Sequence, residues 1–428
     1  MKLTLLAAVA FCLFTSCYPV KQYQSNLVGL VPPAPHSTYT IPLGFVEFDD
    51  NGQLFSRAQL ANTVAQIRQL RGGCADSTVI LFIHGWKNNA STDSNNVAGF
   101  EQFLRDFYAD VTRVNRQGSP KSSCSEPLMG IYIGWRGARI KVAADLSYWN
   151  GSNAAVRAGG LDLEDALYQI MCNARPTQAE KTNLILIGHS FGGRVLERVM
   201  TPYLETQILD ELRNTTYSGG AMKFPLPTLT VLLNEAAPAT DAKQFLDFLK
   251  HHNVTYRAGD RNVPLFLSIT SDGDWANHIF LPIGQSAARL QMKTRVYCTG
   301  NAEIDRKSGC SGDPADPGVI TNQSTYFTHS TASIPALYNH YFVKGSNDAP
   351  QCQDHDLQVV KWRAVKDDYV FCQITSAWNQ TPYWVSSMPI SIVPDHSDIF
   401  RPELSQTLIS FIRHHMAETP EIQAHDSQ

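Results

Sequence analysis

The chain has 428 residues, with 35 Lys and Arg against 39 Asp and Glu, a formal charge of −4. It has no basic surplus to neutralise a run of phosphates, so nucleic-acid binding is disfavoured as its main role. Apolar residues at 43% and aromatics at 10% suffice to close a large core and exclude general disorder. At roughly 150 residues per domain the length allows up to three domains, but one elaborated α/β domain of this size is ordinary.

In chain order, Lys2 and the apolar stretch Leu3 to Phe14 come first. About a dozen apolar residues are too few to span a bilayer core of roughly 30 Å, so the stretch reads as an export signal. Leu13-Phe14-Thr15-Ser16-Cys17 resembles a bacterial lipobox, although Phe14 is bulkier than that motif usually allows. Both lipidation at Cys17, with membrane attachment through it, and simple cleavage nearby fit a signal over residues 1–17. The expected location is the periplasm, outer membrane or cell surface. Residues 18–38, rich in Pro, Gln and Ser, read as a tether, and residues 39–428 as the folded domain.

Seven cysteines lie beyond Cys12 and Cys17, and no CxxC pair occurs among them, which excludes zinc-ribbon and thioredoxin readings. Cys298/Cys310 and Cys352/Cys372 are spaced for local disulfides in an oxidising compartment, Cys74/Cys124 would be a third, and Cys172 is left over. Seven reduced, buried thiols are the alternative.

Tyr39 to Phe48 has the pattern of an edge hairpin. From Thr78 the chain alternates short apolar runs with helical periodicity: strand Thr78 to Ile83, helix Asn96 to Val114, strand Leu128 to Trp135 and helix Leu161 to Asn173. Strand Asn183 to Ile187 and a helix from Gly192 follow, then strands at Thr228 to Leu233, Pro264 to Thr270 and Ile390 to Val393, and a closing helix Pro402 to His415. Continuously apolar strands alternating with helices predict an α/β fold, a doubly wound, mostly parallel sheet. Residues 276–388 break the rhythm and read as a long insertion ahead of His396. It opens on a helical Ile279 to Gln291 and contains strand-like Val359-Val360 and Tyr369-Val370-Phe371; a separate binding domain is the other reading.

The most specific chemical signal is Gly188-His189-Ser190-Phe191-Gly192, set between a strand and a helix. It matches G-x-S-x-G, in which a sharp strand-to-helix turn projects the serine hydroxyl from the sheet edge. A serine hydroxyl needs a base to take its proton and an acid to orient that base, in the order Ser, acid, His on such a fold. Ser271-Asp272-Gly273-Asp274-Trp275 and Pro394-Asp395-His396 supply that order after later strands. His396 is the candidate base. Asp274 is preferred as the acid, with Asp272 competing and Glu235 a third candidate. The oxyanion of a tetrahedral intermediate needs two donors, assigned to the backbone N–H groups of Phe191 and of Trp86 in His84-Gly85-Trp86.

These residues together resemble the α/β-hydrolase superfamily over roughly Thr78 to His415. Gly134-Trp135-Arg136-Gly137 and Ser271-Asp272-Gly273-Asp274-Trp275-Ala276 are similar to phrases in uncharacterised bacterial esterase-like or lipase-like members. The resemblance implies a serine hydrolase cleaving a small-molecule or lipid ester through an acyl-enzyme, with no metal or organic cofactor, and the N-terminal signal makes it an exported one. The single glycine before Trp86 resembles the lipase type of oxyanion loop and implies apolar acyl groups. A peptidase or amidase with the same triad, and a non-catalytic surface binding protein, are the alternatives.

Overall fold

The computed structural model describes residues 21–25, 28–32, 39–49, 51–73, 77–85, 88–117, 127–135, 160–175, 182–216, 226–258, 261–274, 340–344, 358–360, 369–373, 381–416 and 421–423. It is an α/β structure built on an eight-stranded sheet.

Strands β1 (Val28–Val31), β2 (Ile41–Glu47), β3 (Thr78–Ile83), β4 (Leu128–Gly134), β5 (Asn183–His189) and β6 (Leu229–Leu233) belong to this sheet. After the small strands β7 (Thr255–Ala258) and β8 (Arg261–Asn262), β9 (Phe266–Ser271) returns to it. β10 (His340–Lys344), β11 (Gln358–Val360) and β12 (Tyr369–Gln373) form a separate antiparallel sheet within the expected insertion. β13 (Tyr383–Met388) is the last strand of the large sheet, and β14 (Glu421–Gln423) pairs with β7. The large sheet runs β1-β2-β4-β3-β5-β6-β9-β13, parallel throughout except for β1 against β2.

The reason for a sheet covered on both faces is visible along β3. Val79, Leu81 and Ile83 enter one core, Ile80 and Phe82 the other, and all six residues of the strand are buried. Helices α1 (Arg57–Gly73), α3 (Leu161–Ala174), α4 (Phe191–Thr216) and α5 (Ala239–His251) cover the first face. Helices α2 (Asn95–Gln117) and α6 (Pro402–His415) cover the second. A helix-spaced stripe of Val97, Phe100, Leu104, Phe107 and Val111 seats α2 on the sheet.

The strands and helices expected between Thr78 and Thr270 are present to within a few residues. Three expectations are corrected. The last strand of the sheet is Tyr383–Met388, inside the stretch expected to be insertion, and Ile390 to Val393 is a turn. Pro389 closes the strand, and its carbonyl accepts the N–H groups of Ile392 and Val393 at 2.9 and 3.2 Å. The hairpin expected over Tyr39 to Phe48 is the single strand β2, paired with β1 on one side and β4 on the other. The stretch expected to be a tether contains β1 and docks at Tyr23 and Gln24, whose N–H groups donate to the buried Glu47 carboxylate at 2.8 and 2.9 Å. Residues 1–20, with the signal and Cys17, and the helix expected over Ile279 to Gln291 lie outside the described residues.

Candidate active site

All parallel strands of the large sheet end at one edge, and the candidate residues lie in the turns that leave it. Gly85 follows β3, Ser190 follows β5, Asn234 follows β6, Asp274 follows β9 and His396 lies beyond β13.

Ser190 occupies the sharp turn into α4 with φ 55°, in the left-handed region, where a side chain with a Cβ is held under strain. Its backbone is fixed on both sides. The Ser190 N–H donates to the Leu233 carbonyl at 2.9 Å, and the Ser190 carbonyl accepts from the Ala236 and Arg194 N–H groups at 3.1 and 3.2 Å. Two glycines make room for the turn. A Cβ on Gly192 would collide with the carbonyl oxygen of Ile83, and one on Gly85 would stand 2.6 Å from the Ser190 Cβ and 2.8 Å from the His189 carbonyl oxygen.

The Ser190 hydroxyl oxygen and the His396 Nε2 are 2.7 Å apart, and the His396 Nδ1 and the Asp274 Oδ1 are also 2.7 Å apart. With Asp274 ionised, Nδ1–H donates to the carboxylate and Nε2 is left to accept the serine proton. Asp274 is wholly buried, whereas Asp272, two residues earlier, is exposed and sends its backbone N–H to the Met388 carbonyl at 2.9 Å. Gly273 makes the tight passage between them: a Cβ there would strike the Pro394 carbonyl oxygen. The Asp274 N–H donates to the Ser271 carbonyl at 3.1 Å, and the Ser271 hydroxyl bonds the Val393 carbonyl, joining this loop to the one that carries His396.

Glu235 follows Asn234 beyond β6. It is buried under α4 against Gly193 and faces Glu197, whose Oε1 accepts the Tyr383 hydroxyl at 2.9 Å. Burial raises both carboxyls, Glu197 to about 7 and Glu235 well above the usual range; the neighbouring Asp241 carboxylate adds to the rise in both, and the Arg194 guanidinium opposes it. Of the three candidate acids it is Asp274 that bonds the imidazole.

His84 has a fixed structural role. Its Nε2 accepts the Trp135 N–H at 3.0 Å, so Nδ1 carries the hydrogen and donates to the Gly85 carbonyl at 2.8 Å. The Trp135 indole N–H donates to the His84 carbonyl at 3.0 Å, and the two rings stack with centroids 5.5 Å apart. Complete burial lowers the His84 imidazole to about 4, keeping it neutral. This bracing holds Gly85 against the serine turn. Trp86, the expected second oxyanion donor, lies outside the described residues, whereas Phe191 is the first residue of α4 as expected. At that position its N–H lies at the positive end of the helix dipole.

Two residues of the site escaped the sequence reading. His189, the variable position of the pentapeptide, donates from Nε2 to the His396 carbonyl at 2.8 Å. Asn234, at φ 45°, donates to the same carbonyl at 3.0 Å and accepts the Ser271 N–H at 2.8 Å. In the sequence Asn234 stands between a strand and the candidate acid Glu235 and belongs to no motif of its own.

Cys172 is a free thiol. Of the cysteines expected to pair, Cys372 is described only by its backbone in β12, and Cys74, Cys124, Cys298, Cys310 and Cys352 lie outside the described residues. Among the described residues, no helix is long and apolar enough to cross a membrane and no cluster of His, Cys, Asp and Glu is arranged to hold a metal ion. No protein-family model matches the chain, and no curated protein matches it.

Proposed function

We propose that the chain is an exported serine hydrolase of the α/β-hydrolase type, cleaving a carboxylic ester through an acyl-enzyme. The observation that carries this reading is the unbroken line of hydrogen bonds from Ser190 through His396 to Asp274, at 2.7 Å for each step. A folding requirement alone gives no reason to hold a serine at positive φ and aim its hydroxyl at a histidine that a buried carboxylate orients.

In the proposed reaction the Ser190 oxygen attacks the ester carbonyl carbon while His396 Nε2 takes its proton. Asp274 keeps Nδ1 protonated and stabilises the imidazolium that forms. The carbonyl π pair moves onto oxygen, where the Phe191 N–H is placed to donate to the developing charge. Collapse expels the alcohol, which takes the proton from Nε2. Water enters next, gives its proton to Nε2 and its hydroxyl to the acyl carbon, and the bond from the acyl carbon to the Ser190 oxygen then breaks as that oxygen takes the proton back from Nε2, releasing the acid.

The export signal and the lipobox-like Cys17 support a location outside the cytoplasm, with lipid attachment as the form to test by radiolabelled palmitate incorporation into wild-type and Cys17→Ser protein. The activity is tested by fluorophosphonate labelling followed by p-nitrophenyl esters of graded chain length. A labelled serine and ester turnover are expected; an unreactive folded chain would leave the fold without this activity.

A further inference from the structure

His396 lies in neither a strand nor a helix, so no regular backbone pairing sets the direction of its imidazole. Its own peptide carbonyl is instead gripped twice, by His189 Nε2–H at 2.8 Å and by the Asn234 amide at 3.0 Å, and all three residues are buried. Asn234 also reaches the Asp395 carbonyl at 3.3 Å. The oxygen atom of the same Asn234 amide accepts the Ser271 N–H at 2.8 Å, at the head of the loop that carries Asp274.

The backbone around Asn234 completes the arrangement. The Asn234 N–H donates to Ile269, while Leu233 and Ala236 hold the two sides of the Ser190 peptide unit. One four-residue turn, Leu233 to Ala236, therefore binds the loops of Ser190, Asp274 and His396. Its central residue sits at φ 45°, a conformation that asparagine tolerates better than most residues.

We infer that Asn234 and His189 are positioning residues, which jointly set the attitude of the His396 imidazole by holding its peptide carbonyl. This rests on the reading of Ser190, His396 and Asp274 as a hydrolytic set. Two donors on one oxygen make the device redundant: either alone retains part of the geometry, and loss of both frees the peptide. A neutral His189 is required, since its ring centroid lies 5.2 Å from that of His396 and a charge there would oppose the imidazolium. Burial meets that requirement by lowering the His189 imidazole to about 3.

The test compares Asn234→Gly, Asn234→Asp, His189→Leu, His189→Gln and the double variant Asn234→Gly/His189→Leu with wild type. Glycine keeps the left-handed backbone and removes the amide, whereas aspartate keeps that backbone and the acceptor for Ser271 and replaces the donor with a carboxylate oxygen that repels the His396 carbonyl. Glutamine places an N–H near the position of His189 Nε2. Turnover of p-nitrophenyl butyrate and the rate of fluorophosphonate attachment are measured per titrated site, with melting temperature alongside. Because small misplacements of a reacting group are costly, Asn234→Asp and His189→Leu should each lose roughly tenfold in both rates. The double variant should lose more than the product of the two single losses, while His189→Gln stays within about threefold of wild type. Loss in proportion to the folded fraction, with normal rates per titrated site, would show a merely structural role and overturn the inference. So would a double variant no slower than the worse single one. A wild-type chain that neither labels nor turns over ester would overturn the hydrolase reading and this inference with it, a result distinct from either of those.

Discussion

At the scale of single residues, the two aspartates of the Ser271 to Asp274 loop separate a chemical role from a local one. Asp274→Asn should reduce ester turnover by several orders of magnitude, on the order of 10⁴ in comparable triads, because an amide favours the wrong imidazole tautomer and leaves the imidazolium unpaired. Asp272→Asn should leave turnover within a few-fold, since its side chain is exposed and the bond to Met388 comes from its backbone. Steady-state kinetics on both variants checks the assignment, and the reverse pattern would move the acid to Asp272. Gly85→Ala is predicted to fold poorly or to lose fluorophosphonate reactivity. The new methyl would have to push the Ser190 Cβ from 2.6 Å to an ordinary contact distance, and both the atom and the turn that would have to yield are fixed by hydrogen bonds.

At the scale of elements, the layer beneath α4 makes a separate prediction. Glu197 and Glu235 are buried together against Tyr383, on the face of α4 that supports the serine turn. Raising Glu197 from 4.5 to about 7 corresponds to on the order of 3 kcal/mol between the two protonation states. Folding stability from Glu197 is complete below pH 4.5 and is lost as pH rises through about 7, and the Glu235 contribution runs in the same direction, because the unfolded chain releases protons that the fold retains. Glu235→Gln imitates the protonated acid and removes one of those protons. Its melting temperature should therefore fall less between pH 6.5 and 9 than that of wild type, with ester turnover preserved. A parallel fall in the two proteins, followed by differential scanning fluorimetry, would contradict the raised carboxyl assigned to Glu235.

The same element scale explains what the sequence made legible. Uninterrupted runs such as Thr78 to Ile83 and Asn183 to Ile187 could be read as strands, since burial on both faces leaves only apolar positions. Ile390 to Val393 looked similar in miniature, but Pro389 and Pro394 bracket it, and the aromatic Tyr383-Trp384-Val385 fills the sheet instead. Ser190, His396 and Asp274 were legible because motif spacing and chain order constrain them. Asn234 and His189 were not, because they act by bonding peptide groups far along the chain, which leaves no local pattern of residue types.

For the whole molecule, buried neutral histidines and buried neutral carboxyls set opposing pH limits. His84 and His189 are lowered from 6.5 to about 4 and about 3, so their contribution is complete above pH 6.5 and is lost as pH falls towards those values. Glu197 and Glu235 act in the other direction from 4.5 upward. Between about pH 4.5 and 6.5 the proton uptake of two histidines on unfolding balances the release from two carboxyls. The raised carboxyls of Glu47 and Asp241 add further proton release over that interval, so melting temperature should be highest towards its acid end and decline on both sides. A monotonic rise from pH 5 to 9 would contradict the neutral, buried state assigned to the carboxyl pair.

The chain's architecture brings separate turns from one edge of a parallel sheet to the Ser190 hydroxyl, and that hydroxyl can be interrogated chemically. Folded wild-type protein is treated with a fluorophosphonate, digested, and the adduct located by mass spectrometry. One modified serine, Ser190, is predicted, with no adduct on folded Ser190→Ala protein. An adduct on a different serine, or none on wild type, would contradict the assignment of Ser190, His396 and Asp274 as a working nucleophile, base and acid.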